Sequence, residues 1–190
     1  MIFTRTEIPD VVIIDPAVHA DERGYFVETF RQDKLEKFLG FKISFFQDNE
    51  SKSNFGVLRG LHFQLPPFAQ TKLVRVISGE VLDVAVDIRK GSPTFGKHVA
   101  VRLSGENKRQ IFIPKGFAHG FVVLTETCTL AYKVDNFYSP ECDRGIAFDD
   151  PEIGIDWIIE ASKLQLSPKD TKQPPFLSAD YFNFSENLYV

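Results

Sequence analysis

Four histidines are the side chains in this sequence whose ordinary titration falls near neutral pH, and two of them, His62 and His119, stand apart. Each follows a glycine by two or three residues and sits among aromatics, in Arg59-Gly60-Leu61-His62-Phe63-Gln64 and in Pro114-Lys115-Gly116-Phe117-Ala118-His119-Gly120-Phe121. A histidine so placed can take and return protons. It can equally be a hydrogen-bonded core residue. The cations nearby weigh against that second reading for His62. Arg59 precedes it and Lys72 follows it in otherwise apolar strand-like segments, where a cation needs an anionic partner or a ligand. Tyr132 and Lys133 interrupt a later apolar run in the same way, and Tyr132 reads either as packing or as a proton donor in a cavity. His98 opens an ordinary strand and His19 lies in a polar loop without a visible partner.

The elements that must position these groups are strands. From Lys72 the chain reads KLVRVISGEVLDVAVDIRKG, with Ser78-Gly79-Glu80 dividing two runs. In the second run Leu82, Val84, Val86 and Ile88 share one face, and Val81, Asp83, Ala85 and Asp87 share the other. In a barrel, an inward Asp83 would face a cavity. Further runs at 98–103, 109–114, 120–125 and 128–134 are separated by turn signals about every ten residues, the spacing of an all-β sandwich or barrel. Gln32 to Leu39 predicts a short amphipathic helix stopped by Gly40, and a second is expected around Pro151 to Ile155. Leu177 to Val190 shows no clear period. The expected organisation is one antiparallel β domain over 1–190: an extended N-terminal arm (1–50), a barrel core (51–150) and an irregular tail (151–190).

Composition narrows the function classes. The chain carries 22 basic and 26 acidic residues for a net charge of −4, which argues against a nucleic-acid footprint spread over the surface but leaves room for a local basic pocket. The longest stretch free of Asp, Glu, Lys and Arg, Gly60 to Thr71, is far short of the ~20 residues of a membrane span. Arg5, Glu7 and Asp10 break any apolar signal-peptide core, so a cytoplasmic protein is expected. Cys128 and Cys142 lie outside any CxxC pattern; a bridge between them is conceivable, and two reduced thiols are the simpler expectation. No nucleic-acid or membrane partner is expected.

Pro114, Gly116 and His119 resemble the PxGxxH half of the cupin signature, which implies a double-stranded β-helix, the cupin-like jelly-roll barrel, with short peripheral helices. Cupin metal sites need an HxH pair in the first motif; His62 is followed by Phe63 and Gln64 instead. Three or four converging ligands are not in view, so no metal is expected.

A longer series of motifs resembles the dTDP-4-dehydrorhamnose 3,5-epimerase family. It runs through Asp21-Glu22-Arg23-Gly24-Tyr25-Phe26-Val27-Glu28-Thr29-Phe30, Gln47-Asp48-Asn49-Glu50-Ser51 and Gly56-Val57-Leu58-Arg59-Gly60-Leu61-His62. It continues through Lys72-Leu73-Val74-Arg75-Val76, the His119 segment, Tyr132-Lys133 and Leu166-Ser167-Pro168-Lys169-Asp170. The resemblance implies conversion of dTDP-4-dehydro-6-deoxy-D-glucose to dTDP-4-dehydro-L-rhamnose without cofactor or metal. His62 would remove the protons at C3 and C5, both α to the C4 ketone, with Asp170 fixing its tautomer. Tyr132 would return a proton on the opposite ring face. Lys72 would place positive charge at the C4 oxygen of the enolate, with Asp83 behind it. Arg23, Arg59 and His119 would meet the diphosphate or nearby oxygens, because Arg forks suit phosphate. Glu28, Gln47, Asp48 and Asn49 would position the nucleotide, Tyr138 would stack on the base, and Lys169 would add to the anionic site. The family usually carries Glu where this chain has Asp143, one methylene shorter.

The catalytic set does not by itself separate inversion at both carbons from inversion at C3 only, or on another nucleotide 4-keto sugar. A ketoisomerase suits Tyr132 less well. A non-catalytic nucleotide-sugar binder and a metal cupin are the readings from other classes. The resemblance also implies a homodimer that exchanges N-terminal arms, with Phe26 and Phe30 at the interface.

Overall fold

Val- and Ile-rich runs with a period of two form strands, because branched side chains pack well on a pleated, half-buried surface. The computed structural model describes residues 1–189. Chain order runs β1 (Ile2–Arg5), β2 (Val12–Asp15), β3 (Val18–Asp21), β4 (Gly24–Val27), α1 (Gln32–Leu39), β5 (Gln47–Asn54), β6 (Leu58–Gln64), β7 (Lys72–Ser78), β8 (Glu80–Asp87) and β9 (Arg89–Lys90). It continues through β10 (His98–Ser104), β11 (Gln110–Ile113), β12 (Phe117–Val123), β13 (Thr127–Val134), β14 (Asp143–Gly145) and β15 (Phe182–Asn183). One sheet has the order β1-β2-β11-β7-β13-β5 and the other β10-β8-β12-β6-β14, both antiparallel throughout. They face each other as the expected cupin-like jelly roll. Among the described residues no helix is long and apolar enough to cross a membrane.

The two faces of β8 show which side lies inside the barrel, although no β8 residue lines the cavity that His62 lines. Val81 and Ala85 pack between the sheets against Val74, Ile111 and Leu130 from the six-stranded sheet. Asp83 shares that face and is fully buried. The wholly apolar face, Leu82, Val84 and Val86, points away from the barrel and is covered by the C-terminal third of the chain, chiefly Trp157, Phe176 and Phe182. At roughly 1.5–3 kcal/mol per fully buried aliphatic side chain, that outer contact is a second core rather than a loose wrap.

Helix α1 forms as expected. Leu35 is buried, and Gly40 closes the helix at φ +83 with its N–H donating to the Glu36 carbonyl. Its apolar side covers β2, β7 and β11 from outside through Leu35, joined by Ile43 from the segment after the helix. The helix expected around Pro151 is a turn instead. Buried Asp150 accepts the Glu152 N–H and the Phe176 N–H, and Gly154 reverses the chain at φ +64. Single-turn 3-10 helices occur at Ala161–Lys163, Asp170–Lys172 and Phe176–Ser178. Cys128 is buried in β13 and both thiols are free. In the tail, the Tyr189 hydroxyl pairs with Thr71 and accepts the Lys115 backbone N–H.

Strands β6 and β12 approach closely at Gly60, two residues before His62, and Gly120, directly after His119. Gly60 sits at φ +138, and a Cβ there would lie 2.5 Å from Gly120 Cα and 3.0 Å from the His119 carbonyl oxygen. Gly24 has a similar φ of +130 with open space around it. Gly60→Ala is expected to lower Tm by roughly 2–12 °C, from about 1–3 kcal/mol of strain. Gly24→Ala should lose clearly less in the same thermal unfolding measurement; equal losses would mean that the interstrand contact does not matter.

Candidate active site

His62 lies on β6 of the five-stranded sheet and Tyr132 on β13 of the six-stranded one, and both line a cavity of about 160 Å³. Lys72, at the start of β7, closes its floor, and its ammonium donates to the His62 carbonyl at 3.4 Å. Tyr138, Asp143 and Lys169 form one rim. Asp143 accepts from the Tyr138 hydroxyl at 3.0 Å and pairs with the Lys169 ammonium. Sequence reasoning gave no role to Gln64 and Gln70, which also line the cavity. Gln64 ties the 137–139 loop down, donating to the Phe137 carbonyl and accepting the Ser139 N–H.

Asp170 reaches His62 from the tail. Its Oδ1 lies 2.6 Å from His62 Nε2, a close contact off the axis of an aligned hydrogen bond. Burial alone would raise the Asp170 carboxyl. The His62 ring, the Ser167 hydroxyl and the Gly60 N–H outweigh it and hold the carboxyl down at about 2. Lys72 is moved the other way: desolvation pulls its ammonium down to about 8, with the Asp83 and Asp143 carboxylates opposing. Burial raises the Tyr132 phenol, and the nearby Arg59 charge opposes it, so Tyr132 is protonated at neutral pH. The hydrogen bond to Asp143 likewise raises Tyr138.

His119 pairs in register with His62 across β12 and β6, but it lies behind the cavity rather than along it. Its Nε2 sits 2.9 Å from Asp83 Oδ2, and burial lowers its pKa although Asp83 holds it up. The inward face of β5 carries Gln47 and Asn49, joined by a 2.8 Å hydrogen bond, with Asn49 the register partner of Tyr132. Arg59 donates to Ser53 on the same strand. Asp48 lies on the opposite, outer face of β5, paired with Lys133.

Of the expected set, Gln47, Asp48, Asn49, Arg59 and His119 do not line the cavity, and neither do Arg23 and Glu28 of the N-terminal arm. Arg23 sits at the exposed tip of the β3–β4 hairpin, paired with Asp21, and Glu28 pairs with Arg31 and Lys34. Two wider hollows, about 310 Å³ on the outer face of the six-stranded sheet and about 440 Å³ against that hairpin, contain neither His62, Asp170 nor Lys72. Phe26 is exposed, whereas Phe30 packs edge-to-face on Phe45 of its own chain.

Residues 5–178 match the family described as dTDP-4-dehydrorhamnose 3,5-epimerase. The chain belongs to this family and is an epimerase. A Shigella flexneri dTDP-4-dehydrorhamnose 3,5-epimerase is 57% identical over 94% of this chain and 97% of its own length. The structure of a Legionella pneumophila 3,5-epimerase in complex with dTDP-4-keto-L-rhamnose superposes with a TM-score of 0.93 at 48% identity, covering 97% of this chain and 98% of that one. A Streptomyces bikiniensis 3'-monoepimerase in complex with dTDP-quinovose is more distant, at 32% identity and a TM-score of 0.84 over 91% and 87% of the two chains.

The Asp170 carboxyl has a pKa of about 2 in the fold against 3.8 for an unperturbed one, so its contribution to stability is full above about pH 4 and fades as pH falls towards 2. The shift is worth on the order of 2 kcal/mol at neutral pH. Asp170→Asn should therefore be less stable than the parent in urea unfolding at pH 7, with a gap that closes between about pH 4 and 2. A gap independent of pH would assign the loss to packing instead.

Proposed function

We propose that the protein converts dTDP-4-dehydro-6-deoxy-D-glucose to dTDP-4-dehydro-L-rhamnose by proton removal at His62 and proton return from Tyr132. The observation that carries this reading is the placement of these two groups on opposing sheets, lining one cavity. Inversion needs a base on one face of the sugar ring and an acid on the other, and a ring lying between the sheets meets both.

His62, backed by Asp170, takes the proton α to the C4 carbonyl. The electron pair moves into the ring as an enolate, and negative charge builds on the C4 oxygen. Lys72 supplies the countercharge in a site where little water screens it. Tyr132, a phenol protonated at neutral pH and held more firmly so by burial, gives its proton to the opposite face. His62 then holds a proton and Tyr132 lacks one, and exchange with solvent resets both before the second carbon is treated. Arg59, Gln47, Asn49, Tyr138, Asp143 and Lys169 are read as holding the nucleoside diphosphate around the rim. His119, paired with Asp83, is read as supporting the floor. The homodimer implied by the resemblance belongs to this reading: the hairpin bearing Arg23 leaves Phe26 71% exposed. A second reading, inversion at C3 alone, is favoured only by the likeness to the 3'-monoepimerase.

Incubation with the dTDP-4-keto sugar in heavy water separates the two. Deuterium at C3 and C5 is expected; deuterium at C3 only would select the second reading, and none at all would remove both. His62→Ala should abolish exchange. Tyr132→Phe should slow product formation more than the first proton loss, and equal slowing would count against its acid role.

Lys72 is cationic below about pH 8 and loses its charge above it. kcat/KM is expected to fall as pH rises through about 8. Lys72→Met should lower kcat by on the order of 10²–10³ and leave a residual rate without that alkaline limb. Survival of the limb in the variant would assign it to another group.

A further inference from the structure

Ser167 has no role in the reading above, yet it makes a short contact with the partner of the base. Its hydroxyl donates to Asp170 Oδ2 at 2.6 Å, and the Asp170 backbone N–H donates back to Ser167 Oγ at 3.2 Å. A serine three residues before an acid at the start of a helical turn is the spacing of a capping box, in which the acid side chain returns to the backbone N–H of the serine. Here the acid is diverted. Asp170 Oδ1 turns towards the Gly60 N–H at 3.4 Å and His62 Nε2 at 2.6 Å. Among the described residues Ser167 is the one hydrogen-bond donor to Oδ2.

The geometry of a carboxylate makes this consequential. Its two oxygens and carbon are coplanar, so holding one oxygen limits where the other can point. Asp170 is 4% exposed and reaches His62 from a tail segment rather than from a sheet. No interstrand ladder fixes its direction. We propose that Ser167 is a positioning residue for the epimerisation: its hydroxyl fixes the plane of the Asp170 carboxylate so that Oδ1 faces the His62 ring. The same hydroxyl oxygen caps the turn, which links the fold of the tail to the alignment of the base. This inference rests on the reading of His62 as the base.

The test measures kcat and KM with the dTDP-4-keto sugar, and deuterium uptake in heavy water, for the parent, S167A, S167G, S167T, D170N, S167A/D170N and H62A. S167G caps a helix nearly as well as serine but has no hydroxyl, so it keeps the question open to measurement should S167A fail to fold. S167A and S167G are expected to lower kcat roughly tenfold with KM moving less than about twofold. S167T, which keeps the hydroxyl, should restore kcat to within about threefold of the parent. In the D170N background S167A should lower kcat no further, because the group it orients is gone. Unchanged kcat in S167A and S167G, or an equal loss in both backgrounds, would overturn the proposal. Exchange surviving in H62A would instead remove the base reading on which it stands. An inactive H62A beside a fully active S167A would remove only the role of Ser167.

Discussion

Charge buried between two sheets is the constraint to which the rest of the molecule answers. Asp83 is wholly inaccessible, Asp170 nearly so, and the Lys72 ammonium is desolvated enough to bring it down to about 8. An isolated ion there would be strongly destabilising. Each is therefore matched: Asp83 by His119, with Lys72 near enough to feel its charge, and Asp170 by His62, Ser167 and the Gly60 N–H. The same scarcity of water that makes these charges hard to bury strengthens each interaction between them, since charges attract far more strongly in a low-dielectric cleft than in solution. The chain is acidic overall, at −4, while the groups read as holding the anionic substrate, among them Arg59, Lys72 and Lys169, are gathered at or near one cavity.

Two sheets give that cleft two chemically different walls. On β6, beside β12, one wall holds His62, with His119 behind it on β12, and each imidazole is paired with a carboxylate. The other wall carries the phenol of Tyr132 and the amides of Asn49 and Gln47. A scaffold of this kind is shared by a relative described as a 3,5-epimerase and by one described as a 3'-monoepimerase.

Much of the barrel was legible in the sequence, and the limits have physical causes. The alternation in β8 is plain, and Asp83 does face inward as the barrel reading required. That its purely apolar face points outward could not be read, because its cover, Trp157, Phe176 and Phe182, comes from turns and single-turn helices with no hydrophobic period. Pro151 looked like a helix start because the capping of Asp150 to Phe176 is a contact between distant residues. The motif series named His62, Lys72, Tyr132, Asp143, Lys169 and Asp170, which the structure brings together although they span more than a hundred residues. It could not say that Asp48 faces away from Gln47 and Asn49, although strict alternation along β5 holds that signal. Nor could it say that Arg23 and Glu28 stand apart from the cavity on a hairpin and its flank. Gln64 and Gln70 carried no signal beyond being polar in an apolar stretch.

The covering of β8 by the last third of the chain has a consequence for synthesis. A ribosome delivers both large sheets before it delivers Trp157, Phe176 and Phe182, so a nascent chain has a nearly complete barrel with one apolar wall still wet. Asp170 and Ser167 emerge within that same late segment. The protein thus gains its second core and the carboxylate that contacts His62 from the same late segment, and a ribosome stalled before that point would display a barrel with one sticky, uncovered wall.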